Sequence, residues 1–185
     1  QIDGLLVYIV TVTVLVVLLT FIIFPAIVAT ITPLTYKDIL KATRSAMITA
    51  FATGSFFIVI PLIVEKTKQL IEQMPTTHPH LKPNAVIAPS ILVPISFSLP
   101  VGGKLLALLF VLFSAWFSGS PVSAENYFQL LTVGLSQLFG STSAAMPNLL
   151  ALFNVPSSFF ELFLVAENLI VGRLGALLSV IFCVC

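Results

Sequence analysis

The sequence predicts an all-α membrane protein in which spanning helices are combined with a broken helix and two re-entrant helical hairpins. Hydrophobic residues make up 58% of the 185 residues, whereas charged residues make up only 8%. A soluble domain usually carries about 25% charged residues. This chain therefore has too little polar surface to cover a core in water, and lipid must solvate much of it. The other two observations are a long uncharged run at the start and a pair of interrupted apolar segments.

The first predicted element is a spanning helix over Gly4–Ile31. This run is uncharged and rich in Val, Leu and Ile, with Pro25 near its end. A spanning helix needs about 20 predominantly apolar residues. Because strands are usually much shorter than this run, we expect a membrane helix rather than a strand.

Residues 45–64 are predicted to form a re-entrant hairpin that turns at Thr53, Gly54 and Ser55. Short loops rich in Lys and Arg tend to stay in the cytoplasm, and both flanks of this segment are basic. A segment with cytoplasmic flanks at both ends must enter and leave the membrane on the same side. The alternative is one ordinary spanning helix with one basic flank outside. The basic residues of the flanks are Lys37, Lys41, Arg44, Lys66, Lys68 and Lys82.

Residues 84–119 are predicted to form a spanning helix that is broken around residues 99–103. Pro100 removes a backbone donor there, and the pair Gly102-Gly103 weakens the helix further. The exit loop, residues 118–126, contains Glu125 and no Lys or Arg. This composition suits the outer side of the membrane.

Residues 127–153 repeat the pattern of the first hairpin, with two apolar arms around a polar centre at residues 140–147. No basic residue occurs between Lys104 and Arg173, so this second hairpin is expected to enter and leave from the outer side. Ser158 and Glu161 have the spacing of a capping box. We therefore expect the last helix to begin there and to run to Cys185.

The order of helix, interrupted segment, broken helix, interrupted segment and helix indicates a transporter, because paired Gly/Pro-interrupted segments often form its binding site. The local sequence resembles the C-terminal transport domain of the sodium:dicarboxylate symporters, the family that includes the glutamate transporter homologues. The strongest stretch is residues 38–61, with Ala-Met-Ile-Thr-Ala-Phe-Ala-Thr at residues 46–53. The pair Gly172-Arg173 is the second match, since the family arginine at this place binds the distal carboxylate of the substrate.

The resemblance implies a secondary transporter that moves a small organic anion, a dicarboxylate or an acidic amino acid, across a bacterial-type plasma membrane. It also implies a multi-pass homotrimer in which residues 1–185 form a single transport core. This core would move like an elevator against scaffold helices from an earlier part of a longer chain. The candidate substrate contacts are Arg173, Thr53, Gly54, Ser55, Ser141, Thr142, Ser143, Gly102 and Gly103.

The chain departs from the family where the family binds sodium. The serine-rich tip of the first hairpin is reduced to Gly-Ser-Phe-Phe at residues 54–57, and the Asn-Met-Asp-Gly-Thr motif falls on residues 99–103, where only Gly102 remains. Ile170 and Leu177 stand where the last helix of the family carries polar ligands. Because sodium needs such hard oxygen ligands, their loss argues against the familiar sodium coupling, although the fold can persist and coupling to sodium or to protons stays open.

Three charged residues are candidates for the transport chemistry. Lys104 follows the Gly102-Gly103 break, and its ammonium could replace the lost cation; the alternative is that it extends to the membrane interface. Glu167 is a candidate proton carrier, as an acid within a membrane segment. Arg173 suits bidentate carboxylate binding, or else pairs with Glu167 of a packed neighbour or extends to the interface. For both tips, the alternative to a binding role is close helix packing by small residues.

Other functional classes find little support in the sequence. His78 and His80 have no acidic or thiol companion, so no metal site is predicted. Cys183 and Cys185 are expected to pack in the last helix. We predict no enzyme, no cofactor and no nucleic-acid partner, because neither a nucleophile–base arrangement nor a basic stripe is present. The alternatives to transport are a membrane anchor or assembly partner that has lost transport, and an anion channel.

Overall fold

The computed structural model describes residues 2–73, 82–98 and 102–184, and all regular elements in these ranges are helical. This confirms the all-α prediction for the described residues. Two π-helical turns, Leu19–Ile23 and Glu167–Val171, join α1 to α2 and α9 to α10, and a 3-10 turn at Ala124–Asn126 precedes α7. The α-helices are α1 (Ile2–Leu18), α2 (Phe24–Ile31), α3 (Tyr36–Thr53), α4 (Phe56–Gln73), α5 (Lys82–Ser98), α6 (Gly102–Phe117), α7 (Tyr127–Gln137), α8 (Thr142–Leu152), α9 (Ser158–Ala166) and α10 (Gly172–Val184).

Two continuous helices in the described ranges are long and apolar enough to cross a membrane, Gly4–Ile31 and Ser158–Val184. They correspond to the first and last helices predicted from the sequence. The first exposes large apolar side chains along its length, up to Ile31 with 77% of its surface accessible. Such a face is costly in water and favourable in lipid, so it supports membrane insertion.

The first interrupted segment is a helix–turn–helix unit. Thr35 and Asp38 form a capping box that starts α3, and α3 ends at Gly54, whose φ of 67° lies in the left-handed region. α4 begins two residues later and packs against α3. The turn therefore lies where the sequence predicted it. The basic flanks were expected to be loops, but residues 36–44 and 65–73 are helical. The capping box starts α3 before the apolar part, and α4 continues beyond its apolar part to Gln73.

The helices on either side of the break predicted around residues 99–103 are α5 and α6. α5 ends at Ser98 and α6 begins at Gly102, and residues 99–101 lie outside the described ranges. The two helices have different neighbours. α5 packs mainly against α4, whereas α6 packs against α8 and α10.

The second interrupted segment differs from its prediction in the length of its turn. α7 ends at Gln137 and α8 already begins at Thr142, so most of the predicted polar centre is helical. The capping box predicted at Ser158 and Glu161 is wrong, although α9 does begin at Ser158. Backbone carbonyls of Pro156 and Ser157 accept the first free N–H groups instead.

α10 is the central helix of the fold and joins two hydrophobic clusters. Leu174, Leu178 and Ile181 face the larger cluster, which contains side chains from α1 and from α6 to α9. Ala176 and Val180 face a smaller cluster that is built by α3, α4 and Val93 of α5. The first set has i, i+4, i+7 spacing and the second has i, i+4 spacing, so each set lies on one face of α10 and the two faces differ. α10 therefore fixes the first hairpin relative to the rest of the core.

Candidate functional site

A cavity of about 170 Å³ lies where the two interrupted segments, the start of α6 and the last helix meet. Gly54 comes from the turn between α3 and α4, and Thr142 from the first residue of α8. Gly103 and Lys104 come from the first turn of α6. The remaining wall is contributed by α4 and by the last helix. The full lining is Gly54, Phe56, Gly103, Lys104, Thr142, Glu167, Gly172, Gly175, Ala176 and Ser179.

At the wall formed by α10, the backbones of α6 and α10 approach each other very closely. A Cβ atom on Gly103 would lie 2.9 Å from the carbonyl oxygen of Gly175. The Ser179 hydroxyl accepts the Gly103 N–H at 3.2 Å and donates to the Gly175 carbonyl at 2.8 Å. Since Gly103 is in the first turn of α6, its N–H has no partner within that helix. Ser179 therefore satisfies this donor and holds the two helices together.

Three helix N-termini meet at the cavity. Phe56 is the first residue of α4, Gly103 is the second residue of α6, and Thr142 is the first residue of α8. The N–H of Gly103 is already bonded to Ser179, so the helix ends act here through their dipoles, which place partial positive charge at each N-terminus. The arrangement therefore favours an anionic group in or near the cavity.

Lys104 lies between this cavity and the second interrupted segment. Its Nζ donates to the carbonyl oxygens of Phe139 and Gly140, at 3.5 and 3.4 Å. Both carbonyls belong to the turn that follows α7, at the negative end of that helix dipole. The ammonium therefore contacts the turn directly, and it also lines the cavity.

Glu167 lines the same cavity from the start of the π-helical turn. In this turn the N–H of Gly172 donates to the carbonyl of Glu167, five residues earlier. A Cβ atom on Gly172 would lie 3.0 Å from that carbonyl oxygen and 3.5 Å from Oε1. The Glu167 carboxyl therefore covers the glycine on the cavity side. Single π turns within α-helices are frequent at functional sites.

Arg173 lies beside the turn between α3 and α4 but does not line the cavity. Its Cγ would be 3.5 Å from a Cβ on Gly54, while the side chain as a whole is exposed. Neither an ion pair nor a hydrogen bond is made by its guanidinium within the described part of the chain. The guanidinium is therefore free to bind a ligand beside the turn between α3 and α4, although it lies outside the cavity.

The structure brings together only some of the residues predicted as substrate contacts. Gly54, Gly103 and Thr142 line the cavity, together with Lys104 and Glu167. Gly102 instead lines a separate apolar cavity beside Leu178. Thr53 donates its hydroxyl to Thr49 in its own helix. The other predicted contacts outside the cavity lining are Ser55, Ser141 and Ser143.

Sequence reasoning missed Phe56 and the small residues of the last helix. Gly172, Gly175, Ala176 and Ser179 follow an i, i+3, i+4, i+7 spacing, which puts them on one helix face. This spacing of small residues is the signal that could have identified a close-packing face. Phe56 had no comparable signal, because one Phe among many carries little information.

Other candidate groups do not form a site within the described ranges. No group of His, Cys, Asp and Glu there could hold a metal ion. Cys183 is a free, half-buried thiol. His78, His80 and Cys185 lie outside the described residues.

Comparison with known families gives one match. The family model described as Sodium:dicarboxylate symporter family matches residues 1–180. Comparisons with curated proteins and with solved structures give no match. The matched range covers nearly the whole chain and includes every residue of the cavity. The chain therefore belongs to the sodium:dicarboxylate symporter family of membrane transport proteins.

Proposed function

We propose that this chain is the transport core of a secondary transporter for a small organic anion, a dicarboxylate or an acidic amino acid. The observation that supports this most is the cavity at which Lys104, Gly54 of the first hairpin and the N-termini of α4, α6 and α8 converge. Positive helix ends and an ammonium favour a carboxylate over a neutral solute. Family membership supports the same class of substrate.

Lys104 is proposed to supply the positive charge that a bound sodium ion would otherwise supply. The residues 99–103 and the last helix lack the oxygen ligands on which sodium coupling depends in the family. An ammonium at the start of α6 stays in place throughout the cycle, so it balances the substrate charge without ion uptake. Arg173 is proposed to bind the substrate carboxylate after a local shift of the last helix relative to the turn between α3 and α4.

Glu167 is proposed as the coupling group, carrying a proton with the anion. A carboxylate beside an anionic substrate is repulsive, whereas a protonated carboxyl is not. Proton uptake at Glu167 would therefore accompany substrate entry. The remaining substrate contacts would come from the residues of the two turns, Thr53, Ser55, Ser141 and Ser143, together with Gly102.

The proposed mechanism places both interrupted segments in the membrane as re-entrant hairpins. The core would move as an elevator within a homotrimer, against scaffold helices supplied by a longer chain. The support is family membership and the way α10 joins the first hairpin to the rest of the core, which allows the site to move as one body.

Uptake by the full-length protein in proteoliposomes tests this proposal. With sodium absent and an inward proton gradient imposed, we expect accumulation of a labelled dicarboxylate or acidic amino acid above its equilibrium level. Lys104→Gln should lower uptake by at least about tenfold, because a charged hydrogen bond contributes about 1.5–3 kcal/mol. Glu167→Gln should retain exchange of substrate but lose accumulation driven by protons.

The matched control is Lys68→Gln, which removes one lysine from α4 outside the cavity and should leave uptake unchanged. Strict sodium dependence of the unmodified protein would contradict the role of Lys104. Equilibration without accumulation would identify a channel, and the absence of any flux would identify an anchor or assembly partner. Either result would overturn the proposed transport function.

A further inference from the structure

We propose that the base of the first hairpin contains a second anion site, which binds a phosphate group through Lys41 and Lys66. A cavity of about 290 Å³ opens there between α3 and α4. It lies well away from the candidate transport cavity, since Lys41 is about 18 Å along α3 from Thr53 at 1.5 Å per residue. The site is independent of the proposed transport function. Its lining is Asp38, Lys41, Ala42, Ser45, Lys66, Gln69 and Leu70.

Helical periodicity explains why these side chains share a cavity. Lys41 and Ser45 are four residues apart on α3, so they lie on one face. Lys66 and Gln69 lie on one face of α4, three residues apart. Because α3 and α4 pack against each other, the two faces bring two ammonium groups and a hydroxyl to the same space.

The lysines of this cavity are not neutralised by ion pairs within the described ranges. Lys66 donates to the neutral amide oxygen of Gln69 at 3.0 Å, and that amide donates in turn to Glu65 at 3.1 Å. Lys41 has no hydrogen bond or ion pair of its own there. Two like charges that face one cavity repel each other. A bound anion would relieve this repulsion.

Asp38 is the one acid in the lining, and its carboxylate already accepts hydrogen bonds from Thr35. Its Oδ2 accepts from the backbone N–H of Thr35 at 3.3 Å and from the Thr35 hydroxyl at 2.5 Å. It also lies in the first turn of α3, where the helix dipole stabilises a negative charge. Two lysines and one aspartate leave the cavity with a net charge of +1, which suits a phosphate monoanion or diester.

The position of the cavity is the reason to expect a phosphate-bearing ligand. The apolar arms of the hairpin, residues 45–64, are the part suited to the lipid interior, and the cavity lies at their polar end. Basic pockets at the membrane surface recognise lipid phosphates. A soluble phosphate compound presents the same chemistry, so the test must separate the two sources.

Binding of two probes to the full-length protein in neutral detergent tests this inference. Short-chain phosphatidylglycerol and inorganic phosphate are titrated separately, and bound ligand is counted by native mass spectrometry. Lys41→Gln and Lys66→Gln should each weaken binding by about tenfold, as expected for the loss of one charged hydrogen bond. The matched controls Lys37→Gln and Lys68→Gln remove the same charge from the same hairpin base outside the cavity, and should change binding less than about twofold at 0.15 M salt.

Dependence of phosphatidylglycerol binding on Lys41 and Lys66 supports a lipid-headgroup site. The same dependence for inorganic phosphate alone supports a site for a soluble phosphate compound. Equal losses in all four variants would show diffuse attraction to basic side chains and overturn the inference. Absence of binding to either probe would overturn it as well.

Discussion

Gly103 and Gly175 determine how closely α6 approaches α10 at the cavity. A Cβ on Gly103 would meet the backbone of Gly175 at 2.9 to 3.1 Å. Backbone atoms cannot move aside as the end of a flexible side chain can. The hydroxyl of Ser179 lies at the same contact and accepts the Gly103 N–H. A larger residue at position 103 would therefore separate the helices and leave this N–H without its partner.

Gly103→Ala should lower the free energy of unfolding by about 1–3 kcal/mol, the usual cost of inserting a methyl group into a close contact. Thermal unfolding of the purified protein in detergent measures this change. The matched control is Gly140→Ala, because a Cβ there meets only the Gln137 carbonyl at 3.9 Å. The control should change the free energy of unfolding by less than about 0.5 kcal/mol. Equal effects of the two changes would contradict the proposed close contact.

The charged residues of the cavity were predictable from the sequence, but their partners were not. Lys104 and Glu167 are unusual in apolar segments, and this alone made them candidates. The bonds from Lys104 to Phe139 and Gly140 join residues 35 and 36 positions apart. Helical spacing describes only neighbours within one helix, so it gives no information about such contacts. The π turn at Glu167 also lacks a sequence signal.

At the scale of elements, the turn between α3 and α4 depends on a left-handed residue. Gly54 has φ of 67° and ends α3. A non-glycine residue pays about 1–2 kcal/mol in this conformation. Space is not the constraint, because a Cβ would make only an ordinary contact of 3.5 Å with Arg173. The cost of a substitution should therefore follow its tolerance of positive φ rather than its volume.

Substitutions of Gly54 should lower stability in the order Asn, Ala, Val, with Val the most destabilising. Asn tolerates the left-handed region, Ala should lower the free energy of unfolding by about 1–2 kcal/mol, and a β-branched residue should lower it further. Midpoints of thermal unfolding for the three variants measure the order. A ranking by side-chain volume, with Asn more destabilising than Ala, would show that the turn is limited by space.

Helix boundaries were predictable where the local sequence contains its own stop signal. Thr53-Gly54-Ser55 places a flexible residue between two apolar runs, and the turn occurs there. The polar centre of the second segment looked similar, yet α8 starts at Thr142 and continues through Pro147. Pro147 is the sixth residue of α8 and lies beyond its first turn, so it removes one i→i−4 hydrogen bond without ending the helix. Polar composition alone therefore overestimated the length of the turn.

At the scale of the whole molecule, α10 connects two separate hydrophobic clusters, because its side chains belong to both. One face of α10 packs against the first hairpin, and another packs against α1 and α6 within the cluster to which α7 to α9 also contribute. The sequence predicted that the last helix would be important because of Arg173, but the structure shows a further role. Its buried small residues allow α3 and α6 to pack closely against α10 and also line the cavity.

We propose that the first hairpin enters and leaves the membrane on the same side, and the proposed transport site depends on this topology. Single cysteines in a cysteine-free background of the full-length protein test it, introduced as Lys37→Cys, Lys68→Cys and Glu125→Cys. Sealed vesicles of both orientations are treated with a membrane-impermeant maleimide, and labelling at each position is measured. We expect positions 37 and 68 to be labelled from the same side and position 125 from the opposite side. Labelling of positions 37 and 68 from opposite sides would show that the segment between them crosses the membrane once, and would contradict a re-entrant hairpin.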